Sequence, residues 1–461
     1  MANLNILFIG LYTLLSLIIC IALPKHHRWK GLLTTSILFY SGLIGFKFII
    51  ILFVSLYTFY SAFSIHQRKI GPMLPVSLIL LPLFLSNLIV GESHFQEFQR
   101  SFEHSNANLL GVTNWRSFIQ ILGLSYLSFN AISYLIDVDR RYIEPEKNFF
   151  KLLLYLIFLP LVFSGPLHRY QYLSQHFEGI EVTNDSLSRG FRLALFGFFK
   201  MLIASRLFEF LVKLQSTSIS GLYYLLVGTL FFFFLYLSFS SFIDLSQGIV
   251  QLFGIRAKDN FSNRVYFSSS RQEFWKGWHI TLNHWFRDYL FFPLAKRDRK
   301  RRFTDVILLI TFLAIAVWHG FTIALLFWGI ANGVWIILER KMSFKLSGKL
   351  KSVLGPFYHL VLSSLLALIF ISSDISETFK RLVGPTHFPS DFINTFGINP
   401  IIVLGCFLLM DFHNMKANDK RFDDYLENKS TIYRWAVYLK LTFILMFLGT
   451  SFDIGNYYNQ F

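Results

Sequence analysis

The chain has 461 residues, 54% of them hydrophobic and only 15% charged, with a mean hydropathy of +0.49. A soluble domain carries about 25% charged residues to keep its surface wet, so this composition excludes a soluble globule and leaves lipid as the solvent. The formal net charge of +16 would suggest nucleic acid in a soluble protein. Here the basic residues flank apolar segments, as a topology signal does, and nucleic acid is excluded as a partner.

Apolar runs long enough to cross roughly 30 Å of hydrocarbon, about 20 residues each, recur along the chain. Spans are predicted near Leu4–Leu23, Leu32–Tyr60 (one long or two short), Met73–Val90, Phe118–Ile136 and Phe149–Phe163. Others follow near Phe191–Val212, Leu222–Phe253, Asp305–Trp318, Thr322–Leu338, Val353–Ile371, Asn399–Met410 and Tyr433–Leu448. The runs are continuously apolar and do not alternate, which favours helices over a strand barrel. The fold class is therefore all-α, a polytopic integral membrane protein of about ten to twelve membrane helices.

The first segment lacks a basic leader and a small-residue cleavage pattern, and is expected to be a retained helix with a cytoplasmic basic flank. The loop Gly91–Glu97 has little positive charge and is expected outside. The run Lys296-Arg297-Asp298-Arg299-Lys300-Arg301-Arg302 marks the cytoplasmic side and meets anionic headgroups. Cys20 and Cys406 both lie in apolar segments and support neither a disulfide framework nor a cysteine metal site. No internal repeat or Gly/Ser/Pro linker separates domains, so residues 1–461 are expected to form one membrane domain.

The stretch Arg256–Trp318 is semi-polar, aromatic and basic. Within it, Trp275, Trp278 and Trp285 alternate with ionisable groups, and Trp275, Trp278 and His279 share a face at helical spacing. Indoles favour the membrane boundary, so an interfacial or half-inserted helix lining a cavity is expected, with Asn283 beside it.

His319 stands in Ala316-Val317-Trp318-His319-Gly320 between apolar segments. An ionisable group at membrane depth is costly and usually faces a polar interior. Either it is a neutral ring bonded to a backbone carbonyl, or it is a base that takes a proton from a hydroxyl and returns it to a leaving group. His279, 40 residues upstream (319 − 279), either anchors the interface or orients substrate beside His319. Arg287-Asp288 is a structural ion pair or a donor-binding element, and Asp244 interrupts an apolar run as a pathway residue or a buried pair. Pro160–Tyr170 breaks a helix twice and reads as a loop or as cavity lining. No phosphate loop, His-Glu-x-x-His zinc motif or Gly-x-Ser-x-Gly elbow is present.

The block from Asn260 to Leu294, NFSNRVYFSSSRQEFWKGWHITLNHWFRDYLFFPL, with Trp318-His319-Gly320, FWGIANG (Phe327–Gly333) and SGPLHRY (Ser164–Tyr170), resembles the membrane-bound O-acyltransferase family. The likeness covers roughly residues 120–340 and leans to the bacterial polysaccharide branch, which includes the alginate O-acetylation membrane proteins. It implies helices ringed around a funnel with short re-entrant pieces, His319 as catalytic histidine and His279 as the second characteristic histidine. Trp275, Trp278, Asn283, Trp285, Arg287, Asp288, Trp318, Asn332 and Asp244 are expected as substrate-binding or cavity-lining residues. The implied acyl donor is acetyl-CoA or another acyl thioester such as a loaded acyl carrier protein, with no permanently bound cofactor and no metal. Implied partners are membrane lipid and a periplasmic or extracellular acyl-handling protein, and the implied location is the bacterial cytoplasmic (inner) membrane.

Two departures stand out. Ala295-Lys296 replaces a usual Gly-Gly pair, and Asn332 stands where a histidine is common. D-alanyl transfer to teichoic acid, a transporter without chemistry of its own, and a degenerate scaffold remain alternatives.

Overall fold

The computed structural model describes residues 6–82, 123–162, 165–215, 219–298, 300–342, 349–372, 374–387, 399–418 and 420–448. The Gly91–Glu97 loop, the end of the Met73–Val90 segment and the start of the Phe118–Ile136 segment lie outside them. Among the described residues, six helices are long and apolar enough to cross a membrane, and three shorter apolar ones accompany them. The chain is a multi-pass membrane protein. Large apolar side chains on these helices point outward, Ile432 at 85% exposure and Met446 at 76%, as lipid-facing positions do.

The chain divides into two compact units. The first comprises Met1–Ser86, Thr113–Gly197 and Phe242–Asp259. Its stretch Lys25–His66 is two helices, Arg28–Ile44 and Phe48–His66, because Gly45 turns the backbone at φ 59°. Helix Ile6–Ala22 packs on Arg28–Ile44 where Gly31 meets Ile19. Ser16 Oγ donates to Thr35 across that contact at 2.9 Å, and the Tyr12 and Ser36 hydroxyls lie 3.3 Å apart. Small and hydroxylated residues let membrane helices approach closely and satisfy one another's polar groups.

The predicted span Phe149–Phe163 is instead two short helices, Phe149–Ile157 and Leu159–Val162. Phe150 is exposed at its start, but Leu152 to Ile157 are all buried, so from Leu152 onward this segment fills the unit's interior. A short apolar helix commonly has that role. The following loop is pinned by His168, whose Nδ1 donates to the Pro166 carbonyl at 2.6 Å while Nε2 accepts the Lys258 N–H at 2.9 Å. The histidine of the SGPLHRY motif therefore holds backbone in place.

The second unit comprises Asn87–Val112, Phe198–Ser241 and Asn260–Phe461. Its interior is dense in rings, with Tyr236 and Tyr266 at 4.8 Å and Phe233 and Phe407 at the same separation. Helices Thr304–His319 and Ile323–Met342 form an antiparallel hairpin. Gly329 and Gly333, four residues apart, lie on its seam. A Cβ on Gly329 would stand 2.8 Å from the Phe312 carbonyl, and one on Gly333 would stand 2.8 Å from Leu309. The two glycines of FWGIANG thus let the helices close. At the open end, Asp305 pairs with Arg340 and, at 3.0 Å, with Lys341. His319 sits at the turn end, about 20 Å away at 1.5 Å rise per residue.

Candidate active site

The Trp-rich block does not run as one helix. Helix Arg271–Gly277 starts on Ser270, whose Oγ accepts the Glu273 N–H at 3.1 Å, while Glu273 accepts the Ser269 N–H at 2.8 Å. The pair is a variant of the capping box in which the carboxylate reaches the residue before the N-cap. The helix ends at Gly277, where a Cβ would meet Ser262 Oγ at 2.8 Å. Residues 277–280 then pair with 260–262: Ser262 N–H donates to the Gly277 carbonyl and Ile280 N–H to the Asn260 carbonyl.

Trp278 is consequently extended, and His279 adopts φ 46°, ψ 52° before helix Ile280–Phe286 begins. The expected shared helical face of Trp275, Trp278 and His279 is not formed, because the bridge to Asn260–Ser262 interrupts the helix. A left-handed conformation costs a β-carbon residue about 1–2 kcal/mol, so the surroundings hold His279 there.

Two imidazoles flank Trp318 in this unit, His279 buried and His319 partly exposed. His279, 4% exposed, lies with its ring 4.6 Å from Phe239 and 6.3 Å from Trp318. His319 ends its helix with its ring 4.5 Å from Trp318, 5.3 Å from Phe370 and 5.7 Å from Trp328. Trp318 touches both rings. Among the described residues His279 Nε2 and His319 Nδ1 have no hydrogen-bond partner, so the backbone-bonded reading of His319 is not what the structure presents. Gly320 continues from His319 at φ 157°, ψ 164°, a region open essentially to glycine alone. The chain turns at once and the imidazole stays at the helix end.

The other candidates sort by position. Trp275 closes the aromatic wall behind His319, its ring 6.0 Å from Trp328 and its indole N–H donating to Asn332 Oδ1 at 3.0 Å. Asn332 is fully buried, accepts from Arg271 Nε at 2.8 Å as well, and donates to the Trp328 carbonyl at 2.8 Å. It ties the wall together. Trp278 stacks on Phe274, one layer removed. Asn283 donates to the Trp275 and Trp278 carbonyls at 2.7 and 2.5 Å, closing the end of the short helix.

Trp285 packs on Phe286 and Tyr289. Arg287 pairs with Asp288 at 3.0 Å, both partly exposed on a π-helical turn, Arg287–Phe291. Asp244 belongs to the first unit. Sequence reasoning missed Asn260, Phe239, Arg271, Trp328 and Phe370. Asn260 could have been found as the start of the quoted block. The two phenylalanines carry no local signal among 55 in the chain.

Residues 120–348 match the sequence model of the membrane-bound O-acyltransferase family. The match contains both histidines. The chain belongs to this family. It is similar to a probable alginate O-acetylase of Pseudomonas fluorescens, 31% identical over 231 residues, covering 49% of this chain and 46% of the relative. A teichoic acid D-alanyltransferase of Bacillus subtilis is 26% identical over 55% of this chain and 64% of its own length. A peptidoglycan O-acetyltransferase of Helicobacter pylori is 26% identical over 66% of this chain and 63% of its own length. The chain spans less than two thirds of the length of each of these three relatives.

Proposed function

We propose that this protein transfers an acyl group, acetyl in the first instance, from a cytoplasmic thioester to hydroxyls of an envelope or secreted polysaccharide. The observation that carries the reading is the pair of imidazoles, His319 and His279, sharing Trp318 within the family-matched region. A neutral imidazole can accept a proton from a hydroxyl and return it to a leaving group. His319 takes the proton of the acceptor hydroxyl as its oxygen attacks the thioester carbonyl. The C–S bond then breaks and the departing thiolate takes the proton from the imidazolium. Acyl thioester and alcohol become ester and thiol, and His319 ends unchanged.

Topology supports a two-sided site. The basic run 296–302 precedes the Asp305 end of the hairpin and marks the cytoplasmic face. His319 lies about 20 Å along the helix from that end, toward the side where a glycan would arrive. Acetyl-CoA or a loaded acyl carrier protein serves as donor, the bacterial cytoplasmic membrane as location, and an extracytoplasmic acyl-handling protein as partner. The likeness to the D-alanyltransferase favours a second reading, in which the donor is an aminoacyl thioester and the acceptor a teichoic acid.

The test compares envelope glycans by mass spectrometry from cells carrying wild-type protein or His319→Ala at matched membrane levels. Ester-linked acyl groups are expected to vanish with His319→Ala, since losing a general base lowers rates by about 10²–10⁴. Their mass distinguishes acetyl from D-alanyl. Unchanged esterification in the variant would refute both readings.

A further inference from the structure

The hydrogen bonds around Asn260 fix which nitrogen of His279 carries the proton. Asn260 Oδ1 is 3.0 Å from the backbone N of Thr281 and 2.8 Å from Thr281 Oγ1. A backbone N–H can only donate, so the atom it meets is the amide oxygen, and the flip state of Asn260 is determined by chemistry. The amide nitrogen is then the group turned to His279, 3.2 Å from Nδ1.

An amide N–H₂ only donates, so Nδ1 must accept. The alternative, Nδ1–H donating to Oδ1 at 3.4 Å, would add a third donor to that oxygen. It would also set a ring N–H against an amide N–H with both groups buried, leaving the amide donor unsatisfied. In the neutral ring the proton therefore sits on Nε2. That atom is buried without a partner among the described residues. A buried donor without an acceptor calls for a ligand to supply one.

We infer that Asn260 is a positioning residue that locks His279 as an Nε2–H donor, so that His279 hydrogen-bonds the acyl carbonyl oxygen while His319 alone serves as the base. The assignment of roles rests on the acyl-transfer reading above; the protonation of His279 does not. As the acceptor oxygen adds to the thioester carbon, the carbonyl oxygen gains negative charge, and a donor already in place stabilises it without reorganisation. The left-handed His279 backbone and the Ile280 N–H bond to the Asn260 carbonyl at 3.0 Å hold ring and amide together. His168 has the opposite assignment, since its Nδ1 donates to a carbonyl and its Nε2 accepts a backbone N–H.

Nitrogen-15 NMR of the full-length protein in lipid nanodiscs, labelled at histidine, reads both rings, with the His279 signals assigned by their loss in His279→Gln. A pyridine-type Nδ1 with a protonated Nε2 is expected at His279, and the reverse at His168. A protonated Nδ1 in wild-type His279 overturns the inference. In Asn260→Asp the carboxylate takes the amide's place and draws the proton to Nδ1. With the tautomer reversed, kcat for transfer from acetyl-CoA to a soluble hydroxyl acceptor is expected to fall about 10²–10³-fold with KM little changed. A reversed ring with wild-type kcat overturns the donor role. Absence of transfer in wild-type protein with the expected tautomer refutes the acyl-transfer reading and leaves the tautomer assignment standing.

Discussion

Asn332→Leu isolates what the buried amide does behind the catalytic wall. Leucine matches asparagine closely in shape, so the substitution leaves little cavity and removes mainly hydrogen bonding. The wild-type Oδ1 accepts from Arg271 Nε at 2.8 Å and Trp275 Nε1 at 3.0 Å. Both donors lose their acceptor in the variant, at about 1–3 kcal/mol for a neutral buried group and more for a charged one.

Arg271 keeps Ser363 Oγ at 3.0 Å and His359 Nε2 at 3.4 Å, which holds its penalty near the lower bound. The total is about 3–5 kcal/mol. Asn332→His should fall between, because a neutral imidazole offers one acceptor nitrogen for two donors. The measurement is detergent-induced unfolding followed by tryptophan emission, with Arg271→Met and the double variant included. Removing both partners should cost less than the sum of the single changes, since the buried guanidinium no longer stands without its acceptor. A stability within about 0.5 kcal/mol of wild type for Asn332→Leu would refute this account of the wall.

Two further outcomes follow from the helix hairpin. Gly333→Leu inserts a side chain where even a Cβ would stand 2.8 Å from Leu309, and overpacking of that kind destabilises by about 1–3 kcal/mol; the same unfolding assay should show it, and a neutral result would remove the seam. Gly320→Ala forces a β-carbon into φ 157°, ψ 164° and within 2.9 Å of Leu325, at about 1–3 kcal/mol. His319 is displaced with the turn, so acyl transfer should fall more than protein level does. Proportionate loss of both would separate the glycine from the site.

The helical, membrane-embedded class followed from composition and apolar run length alone, because each span must satisfy its backbone within itself and face hydrocarbon. The candidate histidines were legible for a related reason: an imidazole between apolar runs needs an explanation that a surface histidine does not. Local periodicity failed at Trp275, Trp278 and His279. A bridge that pairs Phe261 with Trp278, 17 residues apart (278 − 261), breaks the helix there, and no three- or four-residue spacing encodes that pairing.

The same limit applies to the predicted span Phe149–Phe163. Apolarity is the same whether a segment faces lipid or protein, so only the packed structure turned this one inward.

What the sequence decided, then, was solvent, class and the two imidazoles worth asking about. What it left open was which neighbours those rings meet. Trp318 between them, Asn332 saturated behind Trp275, and Asn260 turned toward His279 by Thr281 all depend on contacts between residues distant in the chain. Hydrogen-bond direction depends on which atom ends up opposite which, and folding alone sets that.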